Sequence, residues 1–268
     1  DRDASTLKVT DNSSGISKKV LTEAFDVGGE RKRKDAENSL SEFNVGLKSA
    51  AIWLSTIWTV ETKRFDENFQ TSVIVENERI FNNEDELVED TKDVEGTNGY
   101  TKLNFEGLKH SFNVTAINKA KRFLSSTYRN WLNKSVTIIF NGEVLDWEPF
   151  KLHPHPKTGR DYKWTIGPGY IGQDKNREVT GWIGILKVGM KAGEDGYGRG
   201  SSRENGGISI MRRGRKIQGY PEAWRPKKIF ASGAGSTLNQ RVVGELVFND
   251  GTVSHTKSSI SNDDLEIM

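Results

Sequence analysis

Alternation of hydrophobic and polar residues predicts strands in the first part of the chain. The clearest cover residues 70–76 and 100–105, and a shorter one leads through Val9 to Asp11. Asn, Ser and Gly follow Asp11, which is typical of a tight turn at a strand end. The acidic stretch over residues 83–95 is expected to form solvated helix and loop.

Helical spacing of apolar residues begins at Leu47 and predicts a helix over residues 47–58. A short helical pattern also starts the segment 18–42, which continues with paired glycines and a run of mixed charge. Glycine followed by charge is typical of a mobile surface loop. This segment is therefore either a plain solvated loop or a lid over a site formed by its two flanks.

The second half of the chain has the pattern of a helix followed by a sheet. Apolar residues at helical spacing cover residues 117–132. A hydrophobic run over residues 136–140 then leads into Asn141-Gly142, the strongest two-residue signal for a hairpin. Further strands are predicted over residues 162–166, 182–188, 207–212 and 241–248, and a glycine-rich flexible excursion over residues 191–205.

Length and composition bound the classes of protein. The 268 residues, 34% of them hydrophobic, are enough for about two domains. Because the pattern changes after Phe105, we expect these domains to be residues 1–108 and 109–268. There are 39 basic and 37 acidic residues, so any affinity for nucleic acid must come from local clustering of charge.

The compartment is indicated by cysteine usage and hydropathy. The chain has no cysteine, which excludes disulfides and thiolate chemistry and fits a reducing environment. No apolar run approaches the ~18 residues of a membrane span, and no signal peptide is visible. We therefore expect an intracellular protein, of the cytoplasm or of the nucleoid or nucleus, with no membrane partner.

Candidate chemistry for a nucleotide lies at the predicted strand end and at the predicted helix start. The carboxylate of Asp11 can accept a hydrogen bond from an exocyclic amine. The small-residue loop before Leu47 opens onto a helix whose first N–H groups have no intrahelical partner, and such groups attract phosphate. From these residues alone, an ordinary strand-turn and a buried helix explain the pattern equally well.

Other stretches that resemble catalytic or metal-binding motifs lack residues that those motifs require. Residues 46–49 read Gly-Leu-Lys-Ser, whereas a P-loop needs a glycine directly before the lysine and another five residues earlier. His153 and His155 have no acidic or thiol partner nearby in sequence, so no metal ligand is assigned. The serines and histidines form no nucleophile-elbow arrangement.

Several short motifs, taken in order, resemble those of the GHKL ATPases, the superfamily of gyrase, heat-shock chaperone, histidine kinase and MutL. Residues 11–16 are similar to the D-x-G-x-G motif, residues 43–50 to the glycine-rich lid motif, and Gly96-Thr97 to the third motif. The second half is similar to the microrchidia (MORC) proteins and their prokaryotic relatives at residues 127–129, 136–142, 208–217 and 254–257. The resemblance implies an α/β protein, with a partial Bergerat-type α/β sandwich for ATP and then a transducer-like α/β domain.

The resemblance also implies roles for particular residues. Asp11 would accept a hydrogen bond from the adenine amino group, and Gly15, next to Ile16, would let the backbone approach the base. Thr97 would support the same hydrogen-bond network. Lys257 would be the catalytic residue that reaches the γ-phosphate from the second domain and couples nucleotide state to domain angle; read alone, it is a surface lysine. The phosphates would lie against Asn44, Val45, Gly46, Leu47, Lys48 and Ser49.

The chain departs from the family pattern at several positions. Ser13 and Asn44 stand where the family usually has glycine, so we expect the turn and the lid to differ in geometry. The family's catalytic Glu and its Mg²⁺-binding Asn belong to a helix before the first strand. Asp3-Ala4 is too close to Asp11 to end such a helix, so neither residue is assigned here, and we expect that an upstream segment is absent.

The resemblance implies a protein that binds ATP with Mg²⁺ and hydrolyses it slowly. Its nucleotide state would drive conformational change or homodimerisation in a DNA-associated process. One alternative is a nucleic-acid clamp or scaffold that binds ATP without hydrolysing it. A sensor histidine kinase is disfavoured because it has no reason to carry the second half. The candidate DNA contact, which a solvated face explains as well, consists of Arg212, Arg213, Arg215, Lys216, Arg225, Lys227 and Lys228.

Overall fold

The computed structural model describes residues 5–25, 46–82, 88–171, 177–187, 205–219, 223–226, 230 and 237–248. The chain forms two compact units, residues 1–113 and residues 114–268. Each unit has a five-stranded sheet of its own. Among the helices described, none combines the length and the apolar composition needed to cross a membrane.

The first unit is an antiparallel sheet with helices on one face. Its strands lie side by side in the order β1-β5-β2-β3-β4. In chain order the elements are β1 (Leu7–Asp11), α1 (Lys18–Phe25), α2 (Gly46–Leu54), β2 (Ile57–Lys63), β3 (Phe69–Glu76), α3 (Asn77–Phe81), β4 (Val88–Asp93) and β5 (Tyr100–Glu106).

Alternation along the strands explains why one face of this sheet is buried. Successive strand residues point to opposite faces, so Trp58 and Val60 of β2 lie in the core whereas Thr59 between them lies on the other face. Leu21 of α1 and Ala51 of α2 are buried against this inner face. The inner face of the sheet is therefore the face on which both helices pack.

The strands predicted at residues 70–76 and 100–105 are confirmed, but two other predictions for this unit are wrong. The helix predicted over residues 47–58 ends at Leu54, and Trp58 lies in β2. The Trp58 indole N–H donates to buried Asn77 Oδ1 at 3.1 Å, so tertiary packing fixes this residue in a strand. The acidic segment predicted as helix and loop contains β4, an edge strand whose residues are all exposed and therefore tolerate charge.

The second unit is built on a mixed sheet in the order β11-β10-β12-β9-β8, in which only β10 and β12 run parallel. Its core includes Ile208 and Ile210 of β10 with Leu246 and Phe248 of β12. In chain order the elements are α4 (Val114–Tyr128), β6 (Ile139–Phe140), β7 (Glu143–Val144), β8 (Lys163–Ile171), β9 (Arg177–Ile185), β10 (Gly207–Arg212), β11 (Arg215–Gln218), α5 (Thr237–Arg241) and β12 (Val242–Phe248).

Most predicted elements of this unit are present, with different bounds. The hairpin at Asn141-Gly142 is confirmed, because both residues have positive φ (50° and 79°), as its turn type requires. The predicted helix is α4, although Leu132 lies beyond its end. The excursion predicted over residues 191–205 falls outside the described residues except for Asn205. β11 was not predicted, because its short basic sequence carries little apolar pattern.

Polar side chains, rather than the predicted apolar stripe, are the fully buried part of α4. Ser126 Oγ accepts a hydrogen bond from Lys216 Nζ at 3.0 Å, and Arg129 Nη2 pairs with Glu245 Oε1 at 2.6 Å. Phe123, one of the apolar residues at helical spacing in this segment, is half exposed. Burial, and then the neighbouring Arg129 charge, lower the pKa of Lys216 to about 7.

We predict that Lys216 makes stability depend on pH. Between about pH 7 and the unfolded lysine pKa of about 10.4, the unfolded chain holds this proton and the folded chain releases it, so the free energy of unfolding rises with pH. The slope approaches about 1.4 kcal/mol per pH unit. Urea unfolding measures the rise in the free energy of unfolding between about pH 7 and pH 9. This rise should be smaller by about 2 kcal/mol in Lys216→Met than in the wild type. Lys119→Met, at an exposed position of α4, is the control; equal gains in all three proteins would refute the assignment.

The basic cluster predicted as a DNA contact is not one exposed surface. Arg212 and Lys216 are buried in the second unit and do not present their charge to solvent. Arg213 and Arg215 are half-buried, and Arg225 Nη2 donates to Gly206 O at 2.6 Å. Lys227 and Lys228 lie outside the described residues. The burial of these side chains therefore does not support a role for the cluster in binding duplex DNA.

Candidate functional site

The turn after β1 orients the carboxylate of Asp11. The Ser13 backbone N–H donates to Asp11 Oδ1 at 3.0 Å, and the Ser13 hydroxyl donates to the same oxygen. Such Asp-centred turns are common where a short polar side chain can bond the backbone two residues on. Because both bonds end on Oδ1, Oδ2 is the oxygen that can accept from a ligand. The serine that replaces the family's glycine thus takes part in fixing the turn.

Gly15 is required by the backbone around it. Its φ is +72°, and a Cβ at this position would lie 1.9 Å from the carbonyl oxygen of Lys63. On the same turn, the Phe65 N–H donates to Ser14 O at 3.0 Å. A Cβ at Gly99 would lie 2.4 Å from the Ser14 carbonyl. The turn is therefore held directly against the backbone after β2 and the backbone before β5.

Two threonine hydroxyls lie beside this turn. Thr62 Oγ1 accepts from the Ile16 N–H at 2.9 Å, donates to Tyr100 O at 2.9 Å, and lies 3.2 Å from Thr101 Oγ1. A hydroxyl has a single proton, so Thr101 is the donor in the bond between the two threonines. The lone pairs of Thr101 Oγ1 remain able to accept, and Thr101 is the residue opposite Asp11 in the strand register.

The threonine predicted at the site is Thr97, four residues before Thr101 in the chain. Thr97 is exposed in a bend before β5. Its loop is fastened by Lys63, a buried side chain whose Nζ donates to Gly96 O at 2.7 Å. The geometry thus brings Thr62 and Thr101, which the motif comparison did not single out, next to the Asp11 turn.

An apolar strip on the inner face of the sheet continues from Asp11. Val9 is two residues before Asp11 and pairs with Leu103 of β5. Its side chain is 48% exposed, whereas Val60 and Phe105 of the same face are buried. The sheet next to the carboxylate therefore offers an open apolar surface, which suits the face of a flat ring.

The predicted phosphate segment is described only in part. α2 begins at Gly46, so Leu47, Lys48 and Ser49 form its first turn. A Cβ at Gly46 would have no protein atom within 4 Å. Asn44 and Val45 lie outside the described residues, as does Lys257 of the second unit.

Comparison with protein families decides the class of the first unit. Residues 1–105 match the family model described as histidine kinase-, DNA gyrase B-, and HSP90-like ATPase. The first unit belongs to this GHKL ATPase family. The match covers the β1 turn and the strands that carry Thr62 and Thr101, so the GHKL unit contains every described contact of the Asp11 turn. The finer similarity to the microrchidia and MutL group stays a prediction.

Solved structures share the fold over both units. The ATPase and transducer domains of DNA topoisomerase II from Balamuthia mandrillaris match with a TM-score of 0.54 and 15% identity, over 97% of this chain and 68% of that chain. The ATPase region of Saccharomyces cerevisiae topoisomerase II matches with a TM-score of 0.56 and 11% identity, over 97% and 69%. A second structure of that region, bound to dexrazoxane, gives 0.54 and 10%. No curated protein sequence matches the chain.

These similarities confirm the predicted fold class. The GHKL unit is followed by a second α/β unit, in the order found in topoisomerase II structures that contain ATPase and transducer domains. Within the described ranges, no three His, Cys, Asp or Glu side chains come together as metal ligands. No residue of the described part is therefore assigned to Mg²⁺.

Proposed function

We propose that the GHKL unit binds ATP, with adenine on the open strip of β1 beside Asp11. The observation that carries this proposal is the Asp11 carboxylate itself, oriented through Oδ1 by Ser13 at the end of a strand. Carboxylates accept charge-assisted hydrogen bonds, which are stronger than neutral ones. The exocyclic amine of adenine is a donor that fits Oδ2.

The neighbouring groups supply the rest of a base site. Thr101 Oγ1 has lone pairs to accept from the amine or from a bridging water. Val9 offers an apolar surface to the ring, and Gly15 keeps the turn free of a side chain. A few placed polar groups on an apolar wall are typical of small-molecule sites.

We place the phosphates at the start of α2. The N-terminus of a helix carries partial positive charge, which favours a phosphate. The protein itself leaves room for a side chain at Gly46, so a glycine there is consistent with the close approach of a ligand. Lys48 would add one ammonium, and Asn44, Val45, Leu47 and Ser49 complete the proposed segment.

The proposed activity is slow hydrolysis of ATP with Mg²⁺, which would neutralise phosphate charge when bound. Nucleotide state would drive conformational change or homodimerisation, in an intracellular, DNA-associated process. Family membership of the GHKL unit supports the ATPase class. Phosphate release measured with ATP and Mg²⁺ separates this proposal from a clamp that binds ATP without hydrolysis, since the clamp would bind and release none.

We propose Lys257 as a ligand of the γ-phosphate, following the family resemblance. Lys257→Ala should weaken ATP binding about tenfold, because one ammonium–phosphate contact is lost, and should leave ADP affinity within about threefold. Calorimetric titration of both nucleotides measures this. Lys92→Ala, at an exposed lysine of β4, is the matched control and should change neither affinity. Equal losses for ATP and ADP in Lys257→Ala would remove Lys257 from the site.

A further inference from the structure

A ladder of aromatic rings lies on the second unit, at and before the start of β8. The rings of His155 and Tyr162 have centroids 5.2 Å apart, those of Tyr162 and Trp164 5.9 Å, and those of His153 and Tyr162 6.0 Å. We call these four residues the aromatic ladder. Separations of this size are typical of interacting aromatic pairs.

Trp164 is the solvent-exposed end of the ladder, and the other three rings are half-buried. β8 is the outer strand at one end of the second unit's sheet. Trp164 is 51% exposed, and its ring lies against that of Tyr162, two residues earlier in the chain. An exposed tryptophan beside three other rings exceeds the scattered apolar residues that any surface carries.

The two histidines present different groups to a ligand. Nδ1 of His155 accepts from the N–H groups of Lys157 and Thr158, at 3.2 and 3.3 Å, so its proton is on Nε2. Nδ1 of His153 lies 2.8 Å from Pro154 O and must donate to it, which leaves Nε2 as an acceptor. One donor and one acceptor thus accompany the rings.

The chain segment that carries the ladder is basic, although one of its lysines, Lys151, pairs with Glu148 just outside the segment at 3.8 Å. The segment from residue 151 to residue 164 contains four basic residues and one acidic residue, so its net charge is +3, whereas the whole chain carries +2. The basic residues are Lys151, Lys157, Arg160 and Lys163, and all are exposed. This short segment therefore holds a larger positive charge than the balance of the complete protein.

We propose that the aromatic ladder binds single-stranded nucleic acid. An unpaired base would stack on the exposed ring of Trp164, and phosphates would lie near Lys157 and Arg160. Aromatic side chains in a basic groove are the usual means of binding single strands, because every base has a face to stack. Bases of a duplex are already stacked and paired, so the ladder favours unpaired strands, of DNA or of RNA. The proposal does not depend on nucleotide binding by the GHKL unit.

The test is fluorescence anisotropy of the full chain with labelled oligo-dT and oligo-U of about 20 nucleotides, and with a duplex of the same length. Either single strand should bind more tightly than the duplex. Trp164→Ala should weaken binding ~5- to 150-fold, the equivalent of one stacked base, and Trp164→Phe should retain most of it. Tyr170→Ala, at an exposed aromatic residue of β8 outside the ladder, is the control and should bind like the wild type.

The contribution of the basic side chains to binding is measured separately, through the salt dependence of the affinity. Replacing Lys157 and Arg160 by Gln should reduce the log–log salt slope by about 1.4, from about 0.7 for each phosphate contact on a single strand. Preference for the duplex, equal effects of Trp164→Ala and Tyr170→Ala, or no binding of any oligonucleotide would overturn the proposal. ATP titration of the same variants should be unchanged, so failure of this proposal and failure of ATP binding are distinguishable.

Discussion

Gly15→Ala is expected to lower the free energy of unfolding of the first unit by about 2–5 kcal/mol, from left-handed backbone strain and forced repacking. The new Cβ would lie 1.9 Å from Lys63 O and 2.9 Å from Arg64 Cα, both of them backbone atoms that no side-chain rotation can move away. The turn must shift, and Asp11 shifts with it. We therefore also expect ATP affinity to fall at least about 100-fold, a loss of about 2.7 kcal/mol.

Gly46→Ala is the matched substitution for stability. A Cβ at Gly46 meets no protein atom within 4 Å, and alanine is the better helix former, so the free energy of unfolding should stay within about 1 kcal/mol of the wild type. Trp53 and Trp58 belong to the first unit and the other five tryptophans to the second, so the difference between the two variants in urea unfolding followed by fluorescence reports on the first unit. A Gly15→Ala protein that is as stable as Gly46→Ala and binds ATP normally would show that ATP binding does not depend on the position of this turn.

Local sequence patterns predict the parts of the site that are local. Asp11 and Gly15 are identified because a strand end, a turn and a glycine follow one another in the chain. The hairpin at Asn141-Gly142 is predictable for the same reason, since its turn chemistry is contained in two residues. The alternating strands near residues 70–76 and 100–105 have one buried face, which makes their pattern clear.

The remaining parts depend on pairing between distant strands. Thr62 and Thr101 meet because β2 and β5 pair in one register, and a shift of either strand by one residue would turn its hydroxyl to the opposite face. No local pattern specifies that register. β4 was missed because an exposed edge strand carries no apolar alternation, and the buried face of α4 was missed because it is polar and pairs with Lys216 and Glu245.

The second large effect is expected for Asp11→Asn. Oδ1 of Asp11 accepts two bonds from Ser13, so an asparagine keeps these only if its oxygen takes the Oδ1 position. Its NH₂ group then faces the adenine amine, and two donors meet. The opposite orientation places the NH₂ group against the Ser13 N–H. Either arrangement loses a charge-assisted bond, worth about 1.5–3 kcal/mol, or roughly tenfold to a hundredfold in ATP affinity.

Asp93→Asn is the matched control. Asp93 is an exposed carboxylate at the end of β4, and β4 and β1 form the opposite edges of the same sheet. Both substitutions remove one charge, so a general electrostatic effect on a polyanionic nucleotide would appear in both proteins. A contact with the base would appear only in Asp11→Asn.

Calorimetric titration of ATP and GTP into the wild type, Asp11→Asn and Asp93→Asn tests the proposed base site most directly. Guanine has an oxygen where adenine has the amine, so the wild type should prefer ATP over GTP. In Asp11→Asn, ATP affinity should fall roughly tenfold to a hundredfold, and most of the preference for ATP over GTP should be lost. Asp93→Asn should match the wild type for both nucleotides. Wild-type ATP affinity and an unchanged preference over GTP in Asp11→Asn would contradict the assignment of Asp11 to the adenine amine.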